Sequence, residues 1–384
     1  MRLPTLCLCL VLLAHAAAAA QTPEHFYNRG LQRQAAGDLD GAIADYGQAL
    51  ARKPDPLVAA SILNNRGNAL LAKGDYEAAI LDFGKAIVAN PRDVVAFYNR
   101  GVARLNAGKY EAAAADFSTV ISFNPQFGMA YNNRGNARRE LGDAEGALAD
   151  YDKAVEVAPA NPLGYFNRAA AFQAKGDLSR ALADFDRAIE LDPKFADAYY
   201  NRALARQQRG DAAAALADLE RAVELKPAEA DAYVARGALR RGKGELDAAV
   251  ADFDRALALN AEHADAYTNR GMARALKRDT PGALADFERA LALNARDTLA
   301  LVNRGLIRRE RGDLEAALAD FNLAVAINPA LAEGYANRAV VRIKQGKYAQ
   351  GEQDIARAVA LDPSLKPSLE KYLREMRGRE KKDR

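Results

Sequence analysis

The chain places its packing residues with the spacing of amphipathic helices, and the pattern returns at a fixed interval. In one segment, Ala59–Arg92, the first stripe has the i, i+3, i+4, i+7 spacing of one helix face: Leu63, Arg66, Gly67 and Leu70. A second stripe follows at spacings of four and three: Ala79, Phe83 and Ala86. The segment therefore predicts two helices, each with one packing face.

Turn signals separate these two helices. Gly74 ends the first, since glycine accepts the left-handed conformation that follows a last helical turn. Asp75 can cap the second by accepting its free N–H groups. Pro91 stops the second helix and pushes Asn90 out of helical geometry. We therefore predict a helix hairpin, which buries its apolar faces only when it stacks on neighbouring hairpins.

The segment recurs along the chain, marked by Asn-Arg-Gly or a close variant. From Arg66 to Arg338 the arginine returns every 34 residues, and the first copy, Arg29, stands 37 residues before Arg66. The additional residues lie near Asp55 and predict a longer turn there. A period of this length is typical of a repeat array, and we expect about ten repeats over residues 22–365.

The 34-residue period, with a small residue, alanine, aromatic, alanine and proline at fixed places, resembles the tetratricopeptide repeat family. The resemblance implies an all-α fold, a right-handed α-solenoid of stacked antiparallel helix hairpins whose first helices line a concave wall. The residue before the glycine departs from the family, because arginine replaces a buried leucine. A further arginine replaces the family's tyrosine in eight repeats: Arg33, Arg104, Arg138, Arg206, Arg240, Arg274, Arg308 and Arg342.

Each arginine of the tripeptide has an aspartate sixteen residues later, in every repeat. A planar guanidinium meets a carboxylate with two parallel hydrogen bonds. We predict an ion pair that fixes how the two helices of a hairpin meet, with a charged relay or an anion site as the alternative. The predicted pairs include Arg66–Asp82, Arg100–Asp116 and Arg168–Asp184. The glycine or alanine that follows is expected to keep the two helix backbones close.

The asparagine of the tripeptide lies on the far side of the first helix from the packing stripe. Its amide offers a donor and an acceptor, and the family resemblance adds that some members hold peptide main chain with an asparagine ladder. The alternative is that each asparagine bonds to a local carbonyl or to the neighbouring hairpin. The predicted partner-binding asparagines are Asn28, Asn65, Asn99, Asn133, Asn167, Asn201, Asn269, Asn303 and Asn337.

Aromatic residues precede several of these asparagines: Tyr27, Tyr98, Phe166 and Tyr200. Rigid aromatics beside amides are common in recognition surfaces, so we predict that these four residues also contact the partner. Packing against the next hairpin explains the same pattern equally well.

Residues 1–20 have the layout of a secretory signal peptide, with a short basic start, an apolar stretch and a small-residue cleavage site at Ala18–Ala20. An uncleaved anchor is the alternative. Both cysteines, Cys7 and Cys9, lie here, so the mature chain is predicted to lack disulfides and cysteine metal sites. We expect an exported protein, periplasmic or secreted, with no membrane span after cleavage.

The chain ends in a further amphipathic segment. Residues 366–377 are predicted to form a capping helix, because a stack must end in a polar face. Residues 378–384 are expected to be a basic, disordered tail.

Composition narrows the function. The formal net charge is only +3, which argues against a nucleic-acid binder led by phosphate contacts. His25 and His263 stand at opposite ends of the array, and the phosphate-loop, zinc-protease and nucleophile-elbow motifs do not occur. We therefore expect no enzyme activity, no cofactor and no metal.

The sequence thus predicts an interaction scaffold that binds proteins or extended peptide segments in a concave groove. The alternative is a structural assembly or envelope-associated factor that binds through its outer face, for example as an accessory to surface polysaccharide or protein export. The fold by itself does not name the partner.

Overall fold

The computed structural model describes residues 22–383, with side chains to residue 378, and the proposed signal peptide lies outside this range. Ten helix hairpins follow one another, and each has a first and a second helix. The first helices are α1 (Pro23–Ala35), α3 (Pro56–Lys73), α5 (Val94–Asn106), α7 (Gly128–Glu140), α9 (Pro162–Ala174), α11 (Ala196–Gln208), α13 (Ala230–Gly242), α15 (Ala264–Leu276), α17 (Thr298–Glu310) and α19 (Ala332–Lys344).

The second helices are α2 (Leu39–Ala51), α4 (Tyr76–Ala89), α6 (Tyr110–Phe123), α8 (Ala144–Val157), α10 (Leu178–Leu191), α12 (Ala212–Leu225), α14 (Leu246–Leu259), α16 (Thr280–Leu293), α18 (Leu314–Ile327) and α20 (Tyr348–Leu361). A short 3₁₀ turn, Pro363–Leu365, leads to the last helix, α21 (Lys366–Asp383). Hairpins are numbered below in chain order, so that hairpin 1 is α1 with α2.

The turns within the hairpins follow the predicted chemistry. Gly74 ends α3 with φ of 82°, in the left-handed region. The Asp75 side chain then accepts a hydrogen bond from the Ala78 N–H and caps α4. Hairpin 8 has Arg278 in place of the glycine, also at positive φ, which a non-glycine residue adopts at some energetic cost.

The additional residues near Asp55 do not lengthen the turn, contrary to our prediction. The connection from Ala51 to Pro56 is as short as the others, and α3 itself is extended to 18 residues where the other first helices have 13. Pro56 explains this start, because its fixed φ suits the first position of a helix.

A buried ring at the centre of eight hairpins explains the small residue of the tripeptide; hairpins 6 and 10 have Leu219 and Ile355 at this place. The Phe117 ring is fully buried, and a Cβ on Gly101 would come within 2.7 Å of its Cε1 atom. The glycine therefore makes room for the ring of the second helix, rather than for a backbone as we expected. Hairpin 5 has alanine at this place, where Ala169 packs in one cluster with Phe185.

The chain divides into two compact units, the first ending at Ala205 and the second beginning at Arg206. Within each unit, consecutive first helices contact one another, as α5 does α7 and α15 does α17. Consecutive second helices make at most marginal contact in the described part of the chain. The first helices therefore crowd on the inner side of the stack within each unit, and we call this surface the first-helix wall.

The last helix corrects the predicted tail. Helix α21 continues to Asp383, so residues 378–383 are helical, where we expected disorder after residue 377. Lysine, arginine and glutamate are good helix formers, and Lys366 and Lys371 lie near glutamates one turn later, Glu370 and Glu375. Leu369 packs with Ile343 and Ala358 of hairpin 10, which makes α21 the cap of the array. No helix in residues 22–383 is long and apolar enough to cross a membrane.

Candidate functional site

The arginine of the tripeptide grips an aspartate of its own hairpin with two parallel hydrogen bonds. In hairpin 2, Arg66 Nε donates to Asp82 Oδ2 at 2.6 Å and Nη2 donates to Oδ1 at 2.7 Å. Asp82 is 3% exposed. The same pairing occurs in Arg29–Asp45, Arg100–Asp116, Arg134–Asp150, Arg168–Asp184, Arg236–Asp252, Arg270–Asp286, Arg304–Asp320 and Arg338–Asp354.

A second arginine, one turn further along the first helix, reaches the same carboxylate. In hairpin 3, Arg104 Nη1 donates to Asp116 Oδ2 at 2.7 Å, beside the two bonds from Arg100. We noted these arginines in the sequence but predicted no partner for them. Their place four residues after the first arginine, on the same helix face, could have indicated that both reach the same aspartate. The second arginines with this contact are Arg33, Arg104, Arg138, Arg206, Arg240, Arg274, Arg308 and Arg342.

The first arginine also joins neighbouring hairpins. Arg168 Nη1 donates to Asp152 Oδ1 at 2.8 Å, and Asp152 belongs to the second helix of the preceding hairpin. Arg270 makes the same bond to Asp254, at 2.6 Å. One guanidinium therefore fixes the angle within a hairpin and the stacking of that hairpin on the previous one.

Electrostatics agrees with a structural role for this clamp. The hydrogen bond from Arg29 holds the pKa of Asp45 below its usual value, and the bond to Asp184 raises the pKa of Arg168. In hairpin 1 the guanidinium group thus favours the ionised form of a buried carboxyl. The carboxylate occupies the edge of the guanidinium that an external anion would use, which leaves the anion-site alternative without support.

In the first unit, asparagines of the tripeptide bond across the stack. Asn65 Nδ2 donates to the Tyr27 hydroxyl at 2.7 Å, and Asn133 Nδ2 donates to the Tyr98 hydroxyl at 2.9 Å. Asn167 Nδ2 donates in the same direction to Asn132, at 2.8 Å. Each donor thus contacts the hairpin before its own. Asn28 is exposed and Asn99 is half-buried on the same wall.

Further along the chain, the asparagines turn back to their own helices. Asn269 Nδ2 donates to the Asp265 carbonyl, and Asn303 Nδ2 donates to the Leu299 carbonyl at 2.8 Å. Asn201 and Asn337 do the same one turn back, with the carbonyls of Asp197 and Glu333. The place that Tyr27 and Tyr98 hold in the preceding hairpin is apolar for three of these asparagines: Phe166 for Asn201, Val234 for Asn269 and Val302 for Asn337. For Asn303 it is Thr268, whose hydroxyl donates to Asp297.

The four aromatic residues predicted to contact a partner are each partly buried. The Tyr98 ring lies edge-on to Phe127, 5.1 Å between centroids, and burial raises the pKa of the Tyr98 hydroxyl. Phe166 lies 4.9 Å from the Phe195 ring. Tyr27 and Tyr200 are half-buried. The structure therefore packs Tyr98 and Phe166 against the start of the next hairpin, and all four rings are partly exposed on the first-helix wall.

Cavities open on the first-helix wall of each unit. In the first unit, a cavity of about 330 Å³ is lined by Leu105, Tyr110, Asn136, Arg139 and Glu140. In the second unit, a cavity of about 290 Å³ is adjacent to one of about 210 Å³, and both are lined by Met272, Asn303 and Leu306. The larger also contacts Arg241, Leu276, Ile307 and Glu310, and the smaller Leu299, Val302, Leu331 and Glu333. We call these two joined cavities the trough.

Family profiles match most of this array. Profiles described as tetratricopeptide repeat match residues 27–94, 94–127, 168–240 and 234–294, and one described as TPR repeat matches residues 135–176 and 305–346. The chain belongs to the tetratricopeptide repeat family. No curated protein matches the tetratricopeptide repeat chain by sequence.

Solved structures share the tetratricopeptide repeat fold. A tetratricopeptide repeat protein from Parabacteroides merdae is 22% identical, covers 65% of this chain and 98% of its own, and has a TM-score of 0.54. The Cut9–Hcn1 structure of the APC/C is 14% identical, covers 92% of this chain and 83% of its own, and has a TM-score of 0.56. YrrB, a TPR protein with an unusual peptide-binding site, is 28% identical over 49% of this chain and 97% of its own, with a TM-score of 0.43. The first two share the solenoid fold with this chain.

Proposed function

We propose that the protein is a non-enzymatic scaffold that binds segments of other proteins on its first-helix wall. The main support for this proposal is the trough, which is a concave, mostly apolar surface with a few polar groups. This is the usual form of a binding site. Leu276 is 60% exposed and Leu299 is 45% exposed, although both lie on this wall. Exposed leucines beside a cavity favour a surface that a partner covers.

The asparagines support an extended form of the bound segment. Asn65, Asn133 and Asn167 use Nδ2 within the stack, which leaves Oδ1 as an acceptor on a half-buried side chain. A peptide backbone in extended form presents N–H groups along its length. The ladder then contributes acceptors to the partner, whereas we expected both halves of each amide to do so.

The buried carboxylates argue for a role without catalysis. Asp116 and Asp150 are each held by two arginines, as are the matching aspartates of hairpins 1, 7, 8, 9 and 10. Both oxygens of these buried carboxylates are bonded to guanidinium groups, so neither is placed to contact a substrate. Acidic residues elsewhere recur by repeat and do not converge on one cleft.

A second candidate is a structural assembly or envelope-associated factor that binds through its outer face. Exposed apolar residues on the second helices favour it: Leu81, Val88, Phe123 and Leu323. Leu81 and Val88 lie two turns apart on α4, and Phe123 and Leu323 lie singly on α6 and α18. The apolar residues of the trough, by contrast, line two adjacent cavities that share Met272 and Leu306.

We also propose that the protein is exported, on the basis of the signal-like layout of residues 1–20. N-terminal sequencing of the exported material should begin near Gln21. An intact Met1 in a soluble cytoplasmic pool would contradict the proposal.

Capture of partners with matched leucine variants tests the scaffold. Leu276→Asp and Leu299→Asp alter the wall, whereas Leu81→Asp and Leu323→Asp alter second helices at similar exposures of 63% and 46%. We expect proteins retained by the wild type to be lost from the two wall variants and kept by the other two. Loss from the second-helix variants alone would favour the outer face.

A further inference from the structure

The two ends of the trough carry opposite charges. Arg241 in the last turn of α13 lines one end, and Glu310 of α17 lines the other end of the same cavity. Glu333 of α19 lines the adjoining cavity, still further from Arg241 along the stack. The apolar residues Met272 and Leu306 lie between them on α15 and α17. A cation, an aliphatic surface and carboxylates therefore follow one another across consecutive hairpins.

Arg241 is more weakly bonded than the arginines at the same repeat position in other hairpins. Arg139 and Arg309 occupy the same repeat position, and they bond to Glu140 at 2.8 Å and to Asn337 at 2.9 Å. Arg241 has one long contact to Asn269, 3.5 Å, and its Nε atom is buried without a hydrogen-bond partner. Burial lowers the pKa of the Arg241 guanidinium because no carboxylate compensates it. A buried, unsatisfied donor of a cation is costly until an acceptor arrives.

The carboxylates at the other end are also without cations. Glu310 and Glu333 form no ion pair within the described residues. Two arginines adjoin Glu310 in sequence. Arg309 is engaged with Asn337, and Arg311 forms no ion pair with Glu310 within the described residues. Both ends of the trough are thus open to a ligand of complementary charge.

We propose that the trough binds an extended segment of a partner protein in which an acidic residue, aliphatic residues and a basic residue follow in that order. The acidic side chain meets Arg241, the aliphatic side chains fill the cavities, and the basic side chain meets Glu310 or Glu333. This inference rests on the proposed function and specifies its partner by chemistry.

Size and spacing agree with such a segment. A cavity of about 150 Å³ already accepts a benzene-sized molecule, so the 290 Å³ cavity has room for a large aliphatic side chain. Packed helices lie about 8–10 Å apart, which separates α13 from α17 by roughly 16–20 Å. An extended chain spans about 3.3 Å per residue. The acidic residue and a basic residue that meets Glu310 are therefore expected about five or six positions apart.

Short fluorescent peptides in a Gly-Ser context test the pattern by anisotropy titration of the protein. The reference peptide carries Glu and Lys at this spacing with Leu and Ile between them, and matched peptides carry Gln for Glu, Gln for Lys, or Ser for the aliphatic residues. We expect each replacement to weaken binding by roughly tenfold or more, since each removes a charge-assisted bond or an apolar contact.

Protein variants assign each contact. Arg241→Gln should abolish the preference for Glu over Gln in the peptide, and Glu310→Gln should reduce the preference for Lys. Arg309→Gln is the matched control at the same repeat position and should leave both preferences unchanged. A further peptide carries Lys in place of Glu. The Arg241→Glu variant should bind this peptide more tightly than the reference peptide, and a variant that fails to fold would not gain affinity in this way.

Equal affinity for charged and neutral peptides would overturn the charge pattern, as would equal effects of Arg241→Gln and Arg309→Gln, or the failure of all the peptides to bind. None of these results would contradict the scaffold proposal, which depends on whether natural partners contact the first-helix wall. Loss of partners from the second-helix leucine variants alone would remove both proposals together.

Discussion

Among the described residues, Asp184 is paired with one arginine, Arg168, whose Nε lies 2.7 Å from Oδ2 and whose Nη2 lies 2.8 Å from Oδ1. Hairpin 5 has Phe172 at the place where most hairpins have a second arginine. In hairpin 3, by contrast, Asp116 is shared by Arg100 and Arg104. The same aspartate position is thus compensated by one guanidinium in one hairpin and by two in another.

This difference predicts unequal costs of losing the first arginine. Arg168→Leu should destabilise the array by about 3–5 kcal/mol, because it leaves a buried carboxylate without a partner. Arg100→Leu should cost less, because Arg104 still compensates Asp116. Urea unfolding followed by circular dichroism measures both, and equal losses would contradict the shared clamp.

A double-mutant cycle tests the pair itself. Arg168→Leu combined with Asp184→Leu should recover much of the stability that the single arginine change removes, because no buried charge is then left unpaired. The cycle yields the coupling energy of the two side chains. A coupling energy near zero would mean that they do not interact in solution.

The glycine of the tripeptide predicts a steric effect. Gly101→Val should destabilise hairpin 3 by about 1–3 kcal/mol, because the side chain meets the buried Phe117 ring. Gly242 is the matched control: it is helical, and a Cβ there meets nothing within 4 Å. Gly242→Ala should raise stability by up to about 1 kcal/mol. Thermal melts check both, and a neutral Gly101→Val would refute the contact.

Two classes of asparagine should differ in stability. Asn65→Ala and Asn133→Ala should each cost about 0.5–1.5 kcal/mol, since each loses a bond to the preceding hairpin. Asn303→Ala should be nearly neutral, because Asn303 bonds only to its own helix. Chemical denaturation of the three variants gives the comparison. Equal costs for all three would mean that the bonds across the stack contribute nothing.

Two of the central rings are tyrosines, which predicts sensitivity to alkali. Burial raises the pKa of Tyr46 to about 12 and that of Tyr151 to about 12. Their hydroxyls donate to Gln34 and Asn136. The unfolded chain loses these protons near pH 10, so the stabilising contribution is full below that pH and is lost as the pH rises towards 12.

Phenylalanine at these places is the natural control, since Phe83 and Phe117 occupy them in hairpins 2 and 3. The double variant Tyr46→Phe, Tyr151→Phe should lose stability less steeply between pH 10 and pH 12. Denaturant unfolding at several pH values, with tyrosinate absorbance, measures this slope. An unchanged slope would show that the two hydroxyls titrate normally.

The period and turn chemistry predicted the hairpins, because Gly74, Asp75 and Pro91 each act through local backbone geometry. The pairing of Arg66 with Asp82 also followed from sequence, since a fixed offset in every repeat is a strong signal. The second arginine was missed as a partner because hairpins 2 and 5 have Leu70 and Phe172 in its place, so that its offset to the aspartate is not invariant. Whether Asn133 bonds to Tyr98 or to its own helix depends on the neighbouring hairpin, which spacing within one repeat does not show.

The most direct test of the scaffold places a photo-crosslinking amino acid at matched exposed leucines in the producing cell. Leu276 and Leu299 represent the first-helix wall, and Leu81 and Leu323 represent the second helices. The account predicts that irradiation joins other proteins to the chain at the two wall positions and leaves the second-helix positions unlinked. Crosslinks at the second helices with none on the wall would contradict it.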